Sequence, residues 1–188
     1  MTILEQVLVD VGRFLSENEI PYMIIGGMAN AVWGQPRATL DIDATIWVED
    51  KAIEGIVSRL SEEFRLLVPD PGGFIRETHV LPLEAREGVR VDLIFGTLPY
   101  EREAIDRARV LSVAGSPVHF CAPEDLILHK IISERDQDLA DARGVARRQM
   151  RNLDVQYLEM RIRELAQVLE RPEIWGRWQE WTRGDGSS

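Results

Sequence analysis

Leu40-Asp41-Ile42-Asp43-Ala44-Thr45-Ile46-Trp47-Val48 is the stretch from which the fold can be read. Leu40, Ile42, Ala44 and Ile46 alternate with Asp41, Asp43, Thr45 and Trp47, and this period of two predicts a strand with one buried face. Asp41 and Asp43 then share the opposite face, where two adjacent carboxylates repel unless a shared divalent cation relieves them. Upstream, an apolar run from Tyr22 to Ile25 ends on Gly26-Gly27, fourteen residues before Asp41. Helical spacing follows from Met28 to Trp33. A strand, a glycine pair and a helix in this order allow the backbone to approach a phosphate closely, with helix amides pointing at it. By itself the glycine pair also describes a plain tight turn; its place ahead of an Asp-x-Asp strand is what points to phosphate.

Outward from this centre the chain reads as alternating strands and helices, followed by a helical end. Leu4, Val7, Leu8, Val11 and Leu15 have helical spacing. Gln35 to Ala38 is a loop. Asp50 is placed to cap a helix from about Lys51 to Phe64, and Pro69-Asp70-Pro71-Gly72-Gly73 reads as a loop. The runs His79 to Ala85 and Val89 to Phe95 flank Glu87-Gly88 as a hairpin. Glu101 to Arg107 is helical in pattern. Val110 to Val113 and Val118 to Phe120 form a second short hairpin. From Pro123 the pattern is helical through Ser133, then from Gln137 to about Leu169 with a break near Asn152-Leu153-Asp154. A last short helix after Pro172 carries Trp175, Trp178 and Trp181. The expected fold class is α/β: a mixed sheet flanked by helices over residues 1–120, a helical C-terminal part over 121–183 packed on that core, and a disordered tail at 184–188.

The chain has 188 residues and a net charge of -10, with 45% apolar and 29% charged residues, the balance of a soluble globular protein. No apolar run approaches the roughly 20 residues needed to span a bilayer, so no membrane partner is expected. No basic segment followed by a long apolar stretch opens the chain, and the single cysteine, Cys121, has no partner for a disulfide or a zinc site; both point to the cytoplasm. The negative charge argues against general binding of nucleic acid. Arg143, Arg147, Arg148 and Arg151 interrupt it locally, either as a solvated helix face or as a patch that meets a polyanion. His79, His119 and His129 lack metal-cluster spacing. The tryptophan stripe reads as core or a dimer contact in preference to a stacking platform.

Phosphoryl and nucleotidyl transfer depend mostly on positioning and charge neutralisation. Two Mg²⁺ ions roughly 3.5–4 Å apart clamp the attacking and leaving oxygens in such sites, and two or three carboxylates suffice to hold them. Asp41 and Asp43 supply two. Asp92, in the apolar run Val89 to Phe95, supplies a third from a neighbouring strand, and a metal site explains a carboxylate there. Arg37 reaches a phosphate or braces the fold, and Thr39 braces the loop before the strand.

Gly26-Gly27, Gly34, Arg37, Thr39, Asp41-Ile42-Asp43 and Asp92 together resemble the minimal nucleotidyltransferases of the DNA polymerase beta superfamily. Pro123-Glu124-Asp125-Leu126, Lys130, Arg135 and Asp138-Leu139-Ala140-Asp141 look like the helical motif of the abortive-infection toxin branch. The resemblance spans about residues 20–145. It implies that Gly26 and Gly27 line the triphosphate, and that Asp41, Asp43 and Asp92 are catalytic and bind Mg²⁺, Asp92 also serving as base. Arg37, Thr39, Lys130 and Asp141 would then complete the NTP site, with Asp138 as a solvated neighbour of Asp141. The expected reaction is Mg²⁺-dependent transfer of NMP from an NTP to a hydroxyl of an RNA 3′ end, a protein side chain or a small molecule. A cognate toxin or antitoxin protein is the implied partner. The chain is shorter than the full-length toxins, which leaves the acceptor open. A non-catalytic nucleotide- or partner-binding module is the alternative. A phosphohydrolase or nuclease fits less well, since no histidine lies near the aspartates and no P-loop is present.

Overall fold

The structure, a computed structural model, describes residues 1–183; the expected tail at 184–188 lies outside them. The fold is mixed α/β, built on one seven-stranded sheet with flanking helices. The chain divides into two units. Among the described residues, the first holds 1–28 and 38–121, and the second holds 29–37 and 122–183. Residues 29–37 thus group with the C-terminal helices although they lie between the glycine pair and the aspartate strand in the chain.

In the first unit, α1 (Ile3–Glu17) opens with a capping box in which Thr2 and Glu5 satisfy each other's backbone amides. Its buried stripe is Val7, Leu8, Val11, Phe14 and Leu15. β1 (Tyr22–Ile24) leads into α2 (Gly26–Trp33), and β2 (Asp41–Ile46) follows the loop. Beyond it come α3 (Ile53–Glu63), β3 (Arg65–Leu66), α4 (Pro71–Thr78), β4 (Val80–Glu84), β5 (Arg90–Phe95), α5 (Pro99–Asp106), β6 (Arg109–Val113) and β7 (Ser116–Phe120). The strand order is β3-β4-β5-β2-β1-β7-β6. β2 runs parallel to β5 and antiparallel to β1, while β1 runs parallel to β7. The β6–β7 hairpin turns at Ala114 and Gly115, both at positive φ, as a two-residue turn that matches strand twist requires. Ile42, Ala44 and Ile46 of β2, with Val91 and Leu93 of β5, are fully buried and pin the register.

Two local expectations fail here. Asp50 makes no side-chain cap; it lies in a short 3₁₀ turn, Asp50–Ala52, ahead of α3. The segment expected as a loop at Pro69–Gly73 opens α4 instead. Asp70 accepts from the Gly73 amide at 2.9 Å and Pro71 takes the first helical position, so the Pro and Gly signals mark a helix start.

The second unit contains α6 (Pro123–Ile131), α7 (Asp136–Gln149), α8 (Val155–Val168) and α9 (Glu173–Arg183). Leu126, Ile127, Ile131, Val145, Leu158, Ile162, Ile174 and Trp178 form its core. The acids of the Pro123-Glu124-Asp125-Leu126 motif are buried and organise the start of α8. Glu124 accepts from the Asp154 amide at 2.7 Å, and Asp125 accepts from the Tyr157 hydroxyl at 2.9 Å. The tryptophan stripe serves packing. Trp178 is buried with its indole N–H on Glu159 at 3.1 Å, Trp181 is nearly buried, and Arg163 stacks on Trp175 at 4.1 Å. No helix among the described residues is long and apolar enough to cross a membrane.

Candidate functional site

β2 and β5 bring the sequence-distant aspartates together. Asp43 is the direct register partner of Asp92, and Asp41 that of Arg90. Side chains opposite each other in a parallel pair share a face, so Asp41, Asp43, Asp92 and Arg90 all project from one side of the sheet. Ile42, Val91, Ala44 and Leu93 are buried on the other side. The aspartate face reaches solvent: Asp41 is exposed and the Asp92 side chain keeps 20% of its surface.

The glycine pair packs directly on this face. Gly26 has φ +62°, which favours glycine, and a Cβ there would collide with the Asp43 carboxylate. A Cβ on Gly27 would come within 2.6 Å of the Thr39 hydroxyl. Thr39 in turn donates to the Asp41 carboxylate at 2.9 Å. The turn at the start of α2, the Thr39 hydroxyl and the two β2 carboxylates therefore interlock without room for a larger residue.

Sequence reasoning missed Arg90. Its Nε donates to both carboxylate oxygens of Asp92, at 3.0 and 3.1 Å. Arg90 alternates with Asp92 along β5, and that period-two spacing was the available signal. As the side chains stand, no three acid, imidazole or thiol groups among the described residues converge as a metal cage. The donor set nonetheless fits Mg²⁺. It offers hard carboxylate oxygens from two adjacent strands, beside a glycine turn in which a Cβ would fill the space.

The second unit contains a different arrangement. Lys130, 6% exposed, donates to Asp138 at 2.8 Å and to Asp141 at 2.9 Å. Asp138 also accepts from Ser133 at 2.9 Å and from Arg135 at 2.6 Å. Asp141 accepts from Gln137 at 3.0 Å, from Asn30 at 3.3 Å and from Arg37 Nε at 3.3 Å. Asp138 is thus not the solvated neighbour of Asp141 that was expected. It is as deeply buried as Asp141 and shares the same lysine. Burial pushes the Asp138 carboxyl up, but hydrogen bonds from Lys130, Ser133 and Arg135 and the lysine charge outweigh this and hold it below the ordinary aspartate value. Asn30 is the other residue missed. It is fully buried, bridges Gln35 and Asp141 through its amide N–H₂, and leaves its Oδ1 without a partner among the described residues.

Solved structures with the same fold include an antigenic nucleotidyltransferase-like protein from Paracoccidioides brasiliensis, at a TM-score of 0.56 and 19% identity, covering 94% of this chain and 92% of that one. ANT(2″)-Ia in complex with adenylyl-2″-tobramycin matches at a TM-score of 0.55 and 18% identity, covering 94% and 99%. The lincosamide antibiotic adenylyltransferase LnuA, lincomycin-bound, matches at a TM-score of 0.52 and 14% identity, covering 77% and 96%. Comparison with curated protein sequences finds no match. With strands β2 and β5 bringing three aspartates to one face beside a glycine turn, and with residues 3–181 matching the family described as nucleotidyltransferase of unknown function (DUF6036), the chain belongs to that nucleotidyltransferase family.

Proposed function

We infer that the protein transfers NMP from an NTP to an acceptor hydroxyl in a Mg²⁺-dependent reaction at the β2–β5 face. The observation that carries the reading is the register pairing of Asp43 with Asp92, with Asp41 on the same face, in a chain of a nucleotidyltransferase family. Asp41, Asp43 and Asp92 would hold the metal, which when bound supplies charge neutralisation on the triphosphate and the leaving pyrophosphate. Gly26 and Gly27 present backbone amides to the phosphates at the start of α2. Thr39 fixes the Asp41 carboxylate by its hydrogen bond. Asp92 accepts the proton of the acceptor hydroxyl as its oxygen bonds to the α-phosphorus and pyrophosphate departs. Arg90, which pairs with Asp92 here, must release it for this role.

The roles of Arg37, Lys130 and Asp141 toward the nucleotide rest on the family resemblance alone; their observed partners are one another and their neighbours. The acceptor is an RNA 3′ end, a protein side chain or a small molecule. Membership of the abortive-infection branch, a cognate toxin or antitoxin partner and a cytoplasmic site of action belong to the same proposal. Adenylyl transfer to antibiotics, which two of the similar structures carry in their names, makes a small-molecule hydroxyl a natural first acceptor to assay.

The test is incubation of purified protein with Mg²⁺, each labelled NTP and a panel of acceptors. Labelled product that disappears in Asp43→Ala is expected; transfer that survives loss of both Asp41 and Asp43 contradicts the reading. One observation favours a second reading, a non-catalytic nucleotide- or partner-binding module: Arg90 already neutralises Asp92. Nucleotide binding indifferent to Mg²⁺ in calorimetry would favour that module.

A further inference from the structure

Outside the aspartate face, the second unit has an open groove of about 970 Å³ along α7 and α9. Arg143, Arg147, Arg148 and Arg177 line it, against a single acid, Glu180. Four arginines facing one glutamate stand out in a chain of net charge -10. Arg151 of the same basic run lies beyond α7 and does not line it.

The four arginines fall into two kinds. Arg148 and Arg177 are tied down: Arg148 donates to the Gly34 carbonyl at 2.7 Å, and Arg177 to the carbonyls of Ile131 at 2.8 Å and Ser133 at 3.2 Å. Arg143 and Arg147 are exposed, four residues apart on one helix face, with no hydrogen-bond or ion-pair partner among the described residues. The anchored pair builds a fixed wall, and the free pair offers two complete guanidinium forks. The chain has only two lysines, Lys51 and Lys130, and neither lies here. Arginine pairs bidentately with phosphate and stacks its plane on unpaired bases, which suits a single-stranded nucleic acid better than an acidic peptide.

We propose that the α7–α9 groove binds the phosphodiester backbone of single-stranded RNA. This binding does not rest on the nucleotidyl-transfer reading. The general negative charge keeps polyanions off the rest of the surface and confines them to this groove.

The test is fluorescence anisotropy of a labelled mixed-sequence oligoribonucleotide across a salt series, with neither NTP nor Mg²⁺ present. Wild-type protein is expected to bind, with log K falling linearly in log salt. Arg143→Ala/Arg147→Ala should bind about tenfold more weakly, with a slope shallower by about 1.4, at roughly 0.7 per lost phosphate contact. Arg102→Ala, on α5 of the first unit, should bind as wild type does. Arg143→Lys/Arg147→Lys should keep the slope and lose part of the affinity, which separates loss of charge from any loss of fold. No binding by the wild type, or equal affinity and slope in the double alanine variant, overturns the proposal. Displacement of the RNA by a polyglutamate peptide at equal charge concentration also overturns it, in favour of an acidic protein. Because binding is read without chemistry, absence of transfer would refute the catalytic reading and leave this result standing, and the converse holds.

Discussion

On β2 and β5 the carboxylates of Asp41, Asp43 and Asp92 stand on a sheet face that reaches solvent, whereas Asp138 and Asp141 on α7 are buried around Lys130. Both clusters pair aspartates with a cation from the chain, Arg90 in the first and Lys130 in the second. The difference lies in exposure and in partners. In the first cluster Arg90 meets Asp92, and Asp41, exposed, takes the neutral Thr39 hydroxyl. In the second, Lys130, Arg135 and Arg37 together outnumber the two carboxylates, and nothing is left over for a metal. On the proposed reading the carboxylates of the exposed face take up a cation, whereas those already neutralised in the interior hold the fold.

Substitutions should therefore separate the two clusters by readout. Asp43→Ala is expected to lower nucleotidyl transfer by about 10³-fold, the several kcal/mol that a metal-held charge supplies. Its urea midpoint should stay near that of the wild type, since the face is solvated. Lys130→Met should do the reverse and destabilise the second unit by about 3–5 kcal/mol in urea unfolding, toward the lower end because Arg37 and Arg135 remain. A Lys130→Met protein as stable as the wild type would break the distinction.

The pH dependence sharpens it further. The Asp138 carboxyl titrates below its ordinary 3.8 in the folded protein. A depressed carboxylate contributes stability that is complete above the unfolded value and is lost as pH falls through the folded one. Urea midpoints should accordingly drop as pH is taken from 5 toward 3, and the drop should be shallower in Asp138→Asn, which has no such proton to take up. The smallest effect is expected at Arg90. With its ion pair to Asp92 removed, Arg90→Ala should lower the half-saturating Mg²⁺ concentration by a few-fold, since an exposed pair of this kind is worth about 1 kcal/mol or less. An unchanged Mg²⁺ requirement would mean that Arg90 does not compete with the metal.

The same contrast explains what could be read from the sequence. The aspartate face was legible because strand alternation is local: Asp41 and Asp43 declare their face within a few residues, and the apolar neighbours of Asp92 mark β5. The mixed sheet with flanking helices followed from such patterns, including both hairpins and the break between α7 and α8, whereas the two-residue strand β3 is too short to show a period and was not read. The buried knot was not legible. Asp138 looked solvated because i, i+3 spacing fixes a helix face but not what covers it, and its lysine lies on another helix. Asn30 and Arg37 reach Asp141 across more than a hundred residues of chain, a pairing no local period encodes. Helix α4 was lost for the opposite reason: Asp70-Pro71-Gly72-Gly73 carries turn residues that serve equally as an N-cap and first turn.

The most direct test is a crystal structure of the protein with Mg²⁺ and a non-hydrolysable NTP. The account predicts metal density liganded by Asp41, Asp43 and Asp92, triphosphate oxygens against the Gly26-Gly27 amides, and Arg90 turned away from Asp92. Nucleotide bound with no metal at these carboxylates, and the Arg90–Asp92 pair intact, would contradict it.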